Sequence, residues 1–367
     1  MPAPPTLPSP RDLTVPEAGS TTARDVLSRA IGRVLRELRP LLRLHAASAP
    51  DDVAAMEQAL AMVDVAPLAS VLRRPHAAAL VRSLRTTPRG EGGALLTELL
   101  ATLAFDLDRL GALAAPVTLR RQPPRLVSLV AREVVTPATG AVDRPYHVVE
   151  RETVLALADN NPLAMHEAHP DKEGNAVDLG GHPVEEWLGA LRDAFAVVAE
   201  HLPELREEMA LYAQAIVPVG YFAEKHLSAS YREAIGTLYL SLHPSPMTMV
   251  EALVHETQHS KMNALLELDD VLENAHEPLY RSPVRPDARP LHGVLLAVHA
   301  FVPVARLYER MLAAGDPRAR GSEARFRDVA RINREGTAVL REHARPTPVG
   351  QGVMDELLRW DAHFAGA

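Results

Sequence analysis

The chain of 367 residues contains no cysteine. Disulfides, thiolate metal ligands and a cysteine nucleophile are thereby excluded, and the composition suits a reducing compartment. Aromatic residues make up only 4% of the chain. Leu, Ala and Val must therefore fill the interior, which favours helices. Positive charge is not in excess: 39 Lys and Arg stand against 47 Asp and Glu, a net charge of −8. A general nucleic-acid binder would show a basic footprint instead. No stretch of about 18 uncharged apolar residues suggests a membrane span. The opening "MPAPPTLPSP" lacks the basic start and apolar run of a signal peptide. The expectation is a soluble, cytoplasmic protein with neither nucleic acid nor membrane as partner. What is present in quantity is apolar: 47% of residues are hydrophobic, enough for one or two domains with a sizeable core.

Residues 1–19 are rich in Pro, Ser and Thr and are expected to form a flexible lead. From Thr21 to about Ala115 the pattern is helical, with Leu27, Ile31, Val34 and Leu38 recurring at helical spacing. Arg24, Arg29, Arg33 and Arg36 fit a solvated face there. "RQPPR" at 121–125 looks like a joint, so the expected domains are 20–120 (helical) and 121–367 (metal-binding and catalytic). After the joint, 125–135 and 146–158 have strand character, with turn residues between them. A long amphipathic helix follows, which Pro203 should break or kink. "AIVPVGYF" and "EAIGTLYLSLHP" are short apolar stretches of strand type, and the rest is mostly helical.

The stretch "LVHETQHSKM", 253–262, carries the chemistry. On a helix, residues four apart lie about 40° apart round the axis, so His255 and His259 share a face. Two imidazoles at that spacing can bind one ion. Glu256, about 100° round from His255, can reach the open side of that ion as a catalytic group without ligating it. H-E-x-x-H is a known zinc pattern with glutamate as general base. The bland alternative is a pair of hydrogen-bonded histidines on a helix face.

Two nitrogens are too few for a stable site. The long form H-E-x-x-H-x-x-G-x-x-H needs Gly at 262 and His at 265, but this chain has Met262 and Leu265. Glu267 would lie about 12 Å along the axis if the helix continues, and Glu273 or Glu277 could return only after a reversal of the chain. The favoured third ligand is His299, deep in the apolar run "RPLHGVLLAVHAFVPVARLYERM", where a buried imidazole needs a partner; His292 is the alternative. Pro303 should bend that helix. Each of these histidines has an ordinary reading too, as a core residue bonded to a backbone carbonyl.

"YRSPVRPDARPLHG" gathers Arg281, Arg285 and Arg289 against one acid, Asp287. Arginines near a helix N-terminus are disfavoured unless they share an anion with it. The loop therefore suits a carboxylate held close to the metal, although an exposed, salt-bridged loop is nearly as common a reading.

Three blocks together carry a resemblance to a known family: "HPDKEGNAVDLGG", "LSASYREAIGTLYLSLHPSPMTMVEALVHETQHSK" and "YRSPVRPDARPLHGVLLAVHAFVPVARLYERM", in that order. Over roughly 145–310 the chain resembles the HEXXH-motif peptide-modification proteins, 2-oxoglutarate-dependent peptide β-hydroxylases of ribosomal-peptide pathways. The resemblance implies Fe(II), with 2-oxoglutarate and O₂ as co-substrates, and a hydroxyl placed on the β-carbon of a residue in a precursor peptide. His255 and His259 carry over as iron ligands. The distal carboxylate of 2-oxoglutarate would need a cation, for which Arg285 or Arg289 is expected, with Lys261 next. The apolar strand at 235–242 could take the peptide as an added strand, and Ser228, Ser230 and Tyr231 precede it. The expected fold class is mainly α with a small mixed β-sheet (α+β): a helical N-terminal region, then a zincin-like catalytic region with the HExxH helix. A zinc metallopeptidase with Glu256 as general base, and a non-catalytic peptide-binding partner, are the competing readings.

Overall fold

The structure, a computed structural model, describes residues 9–162, 177–284 and 287–366. Eleven α-helices and ten strands are found among the described residues. The helices are α1 (Thr22–His45), α2 (Pro50–Leu60), α3 (Val65–Leu72), α4 (Pro75–Thr86), α5 (Gly93–Arg109), α6 (Val184–His201), α7 (Pro203–Tyr212), α8 (Pro246–Leu266), α9 (Leu291–Ala313), α10 (Glu323–His343) and α11 (Pro348–Ala365). The strands are β1 (Leu126–Ser128), β2 (Glu133–Thr136), β3 (Ala141–Asp143), β4 (Tyr146–Glu150), β5 (Thr153–Ala156), β6 (Ala215–Tyr221), β7 (Ser228–Ala229), β8 (Thr237–Leu242), β9 (Leu279–Tyr280) and β10 (Arg289–Pro290). The protein is thus mainly helical with small sheets, an α+β fold.

Proline sets many of the boundaries. Pro50, Pro75, Pro203, Pro246 and Pro348 each open a helix, where the missing N–H costs nothing and the fixed φ is already helical. Pro203 accordingly separates α6 from α7. Pro303 does not end its helix: α9 runs through it to Ala313.

Two compact units emerge. One takes Met1–Leu27, Ala190–Tyr212 and His243–Ala367; the other takes Ser28–Gly189 and Ala213–Leu242. This division departs from the expected boundary at 121. The helices α1–α5 and the segment after the joint share one apolar core, which includes Leu38, Leu80, Leu100, Leu119 and Leu126. A prolyl joint in the sequence is therefore spanned by common packing, and no break occurs there.

In this second unit β1, β2 and β3 form an antiparallel meander. A five-stranded mixed sheet has the order β4-β5-β6-β8-β7. Its β5–β6 and β6–β8 pairs are parallel, and its outer pairs β4–β5 and β7–β8 are antiparallel. The core strand β8 is buried along its whole length, as expected of a strand covered on both faces. Each apolar run expected to be a strand at 125–135 and 146–158 is in fact a hairpin. Arg132 and Arg151, with φ of 58° and 46°, supply the reversals.

β8 is also an interior strand. Leu240 faces Pro218 of β6 on one side and Ser228 of β7 on the other. The edge that an added peptide would need across Tyr239 and Leu240 is already occupied. The expected peptide seat along 235–242 therefore has no free edge at Tyr239 and Leu240. Ser228 lies in β7, and Tyr231 packs edge-on against Tyr239 at 5.2 Å. Of the block "HPDKEGNAVDLGG", residues 169–176 lie outside the described residues.

The first unit is built round α9, which packs against α8, α10 and α11. Gly336 makes the α9–α10 approach possible: a Cβ there would meet a Val298 methyl at 2.4 Å. Among the described residues α9 is the one helix long and apolar enough to cross a membrane, yet 72% of its apolar window is buried in the fold. That burial is what a core helix requires. The expected flexible lead is corrected from residue 13 onward. Leu13 and Thr14 are fully buried. The buried Glu356 carboxylate accepts hydrogen bonds from the backbone N–H groups of Thr14 and Val15, each at 3.0 Å. Glu356→Ala leaves two buried N–H donors without an acceptor. It is expected to cost about 3 kcal/mol of stability, read from the urea midpoint.

Candidate metal centre

The HExxH stretch lies in the middle of α8, as its spacing predicts. Ser245 and Pro246 start this helix, and it runs unbroken to Leu266. One turn before the motif, Glu251 accepts a hydrogen bond from the Tyr308 hydroxyl of α9 at 2.6 Å. The same carboxylate accepts from Arg325 of α10, at 3.0 Å from Nε. These bonds tie α8 to both neighbours beside the site.

Ligand atoms of His255, Glu256 and His259 all lie within 4.8 Å of one another. The two imidazole centroids are 4.5 Å apart and nearly perpendicular. Phe301 of α9 meets His255 edge-on at 4.6 Å. Both histidines are half-buried, whereas Glu256 is buried. Burial lowers the pKa of His259, with the Glu256 carboxylate opposing. A neutral imidazole is the form that binds a cation.

A divalent cation suits these atoms. Glu256 Oε2 and His259 Nδ1 are buried without a hydrogen-bond partner among the described residues. Such an orphan costs about 1–3 kcal/mol, and a cation can serve both kinds of atom. Two histidines and one carboxylate form the donor set of a non-haem Fe(II) site with open positions, and also of a catalytic zinc site. Glu256, expected only on the open side of the ion, is therefore part of the converging set.

His299 is not in that set. It is fully buried on α9, with neither ring nitrogen hydrogen-bonded among the described residues. It stands two residues before Phe301, about 160° away round the helix axis. Burial holds its pKa well below the usual imidazole value; Lys261 adds to this, and His259 and His255 do so less strongly. His299, expected as the third ligand, is buried as expected and lies outside the group of converging donors. The His292 ring packs near that of His276, with centroids 5.6 Å apart, and its backbone N–H donates to the Ala275 carbonyl at 2.8 Å. Glu267, Glu273 and Glu277 also lie outside the group.

The two histidines open onto a cleft of about 330 Å³ lined by His255, His259, Ser282, Arg289, Gly293 and Phe301, among others. Arg289 is the loop arginine that reaches this cleft; Arg281 does not line it, and Arg285 lies outside the described residues. Lys261, expected beside the cofactor, is instead fully buried and paired with Glu208 of α7. It follows His259 by two residues, so it points to the far side of its helix. Phe301, Ser282 and Gly293 were not singled out by sequence. Each is an ordinary residue type, and only the packing of α9 and its leading loop against α8 brings them to the cleft.

No protein-family profile matches this chain, and no curated protein does either.

Proposed function

We propose that this protein is an Fe(II)- and 2-oxoglutarate-dependent dioxygenase that hydroxylates the β-carbon of a residue in a ribosomally synthesised precursor peptide. The observation that carries the reading is one cleft lined by His255, His259 and Arg289, with the buried Glu256 carboxylate converging on the two histidines. The zincin-like character of the region belongs to the same proposal, supported by the strand β8 that precedes the HExxH helix in the chain.

Bound iron would supply the oxidative chemistry, reducing O₂ at the expense of 2-oxoglutarate. His255, His259 and Glu256 would hold it. Arg289 would take the distal carboxylate of 2-oxoglutarate and so fix which end faces the metal. Phe301, Leu296, Ala297 and Val284 line the same cleft with apolar surface, which limits water near the reacting centre.

Incubating the protein with Fe(II), 2-oxoglutarate and the precursor peptide encoded beside it, in air, is expected to add one oxygen atom to the peptide and yield succinate. A peptide of unchanged mass with no succinate would overturn the reading. The convergence of Glu256 with both histidines also suits a zinc peptidase, in which Glu256 is the general base. That reading requires peptide cleavage that Glu256→Gln abolishes, without any need for 2-oxoglutarate.

A further inference from the structure

Arg289 belongs to a side-chain type with many rotamers, and it stands at a loop-to-helix junction. Three features nevertheless restrain it. Its backbone is paired with Tyr280 in the short β9–β10 ladder. Its stem lies along the bare backbone of Gly293, one turn later. A Cβ at Gly293 would come within 3.5 Å of Arg289 Cβ, 3.9 Å of Cγ and 4.0 Å of Cδ. Its head is held by Asp287, whose Oδ2 lies 2.8 Å from Nε. The pair is 45% and 56% exposed. An exposed ion pair of this kind adds little to stability, so its effect lies in geometry.

The choice of nitrogen matters. With Nε taken by Asp287, the end-on edge of the guanidinium is left, where the two Nη atoms form a fork that matches a carboxylate. Among the described residues those two atoms have no other acidic partner. We infer that Asp287 and Gly293 are positioning residues that aim the Nη edge of Arg289 into the metal cleft, so that the cleft selects ligands with a second carboxylate. The inference rests on the proposed function, in which Arg289 holds the far end of the co-substrate. Neither Asp287 nor Gly293 touches that ligand; both act through Arg289.

Two probes separate this role from a general effect on folding or on the metal. One is 2-oxoglutarate, and the other is 2-oxobutyrate, which keeps the metal-binding end and lacks the distal carboxylate. Their affinities are measured anaerobically on the Fe(II)-loaded protein. Asp287→Ala is expected to weaken 2-oxoglutarate about tenfold and to leave 2-oxobutyrate unchanged. Asp287→Asn, which keeps an acceptor for Nε without the charge, should retain most of the preference. Gly293→Val, which fills the groove under the stem, should lose it. The inference is overturned if Arg289→Ala abolishes the preference while Asp287→Ala and Gly293→Val leave it intact; the arginine clamp would then stand without these two residues. Tighter binding of 2-oxoglutarate by both Asp287 variants would also overturn it, since it would mean that Asp287 acts by charge repulsion alone. Should Arg289→Ala itself leave the preference unchanged, the clamp fails, and the inference fails with it.

Discussion

His259→Ala is expected to lower the affinity for Fe(II) or Zn(II) at least about 100-fold, measured by competition with a chromophoric chelator. Loss of a group that only supports a ligand already costs about 10–100-fold in such sites, and loss of a donor should exceed that. His259 is one of three donors that converge within 4.8 Å. Its Nδ1 is buried and without a hydrogen bond among the described residues, so a metal ion would give that atom a partner. The variant should fold, because the ring is only half-buried and α8 remains tied through Glu251 to Tyr308 and Arg325. Glu256→Gln tests the third donor in the same assay and should weaken the metal less, since a neutral oxygen remains. An unchanged chelator competition for His259→Ala would remove the metal centre, and the proposed reaction with it.

Lys261→Met should destabilise the protein by about 3–5 kcal/mol, because it leaves a buried carboxylate without its counter-ion. The Lys261 ammonium is fully buried and bonded to Glu208. Burial already raises the pKa of Glu208, and Lys261 pulls it back down. Without the lysine, the folded-state pKa of Glu208 moves further above its ordinary value of 4.5. A raised carboxyl pKa contributes stability that is present below the unfolded value and lost as pH rises through the folded one. The deficit of the variant should therefore be small near pH 4 and grow toward neutrality. Replacing both partners, Lys261→Met with Glu208→Leu, should recover most of the loss, since an apolar pair of similar size is often neutral. Urea unfolding at two pH values checks all three statements. A single variant within about 1 kcal/mol of the parent at neutral pH would show the pair to be of no structural consequence.

The contrast between His259 and Lys261 shows which kind of information lies in the sequence. Helical spacing is a local property, set by the 3.6-residue turn. The run from Met247 to Leu266 has that spacing, and its histidines duly share a face in α8. The mainly helical α+β class, the break at Pro203 and the buried strands β6 and β8 follow from equally local signals. The partner of each side chain does not. Lys261 was close to the motif in number but on the opposite side of the helix, where Glu208 returns from α7. His299 was rightly expected to be buried, yet the packing of α9 against α8 presents Phe301 to His255 and leaves His299 outside the group of converging donors.

Pairing and domain limits were no more legible. β7 consists of two residues, Ser228–Ala229, too short for any periodicity, yet it closes the edge of β8. The lead at 9–19 has the composition of a loose tail, but Glu356, more than three hundred residues away, fastens it at Thr14 and Val15. The sequence alone determined which helix carries the imidazoles and that a carboxylate stands beside them, because one helical turn is enough to specify both. The tertiary structure decided which arginine reaches their cleft, which carboxylate converges with them, and which strand edge is already taken, because those depend on how elements distant in the chain rotate and pack against one another.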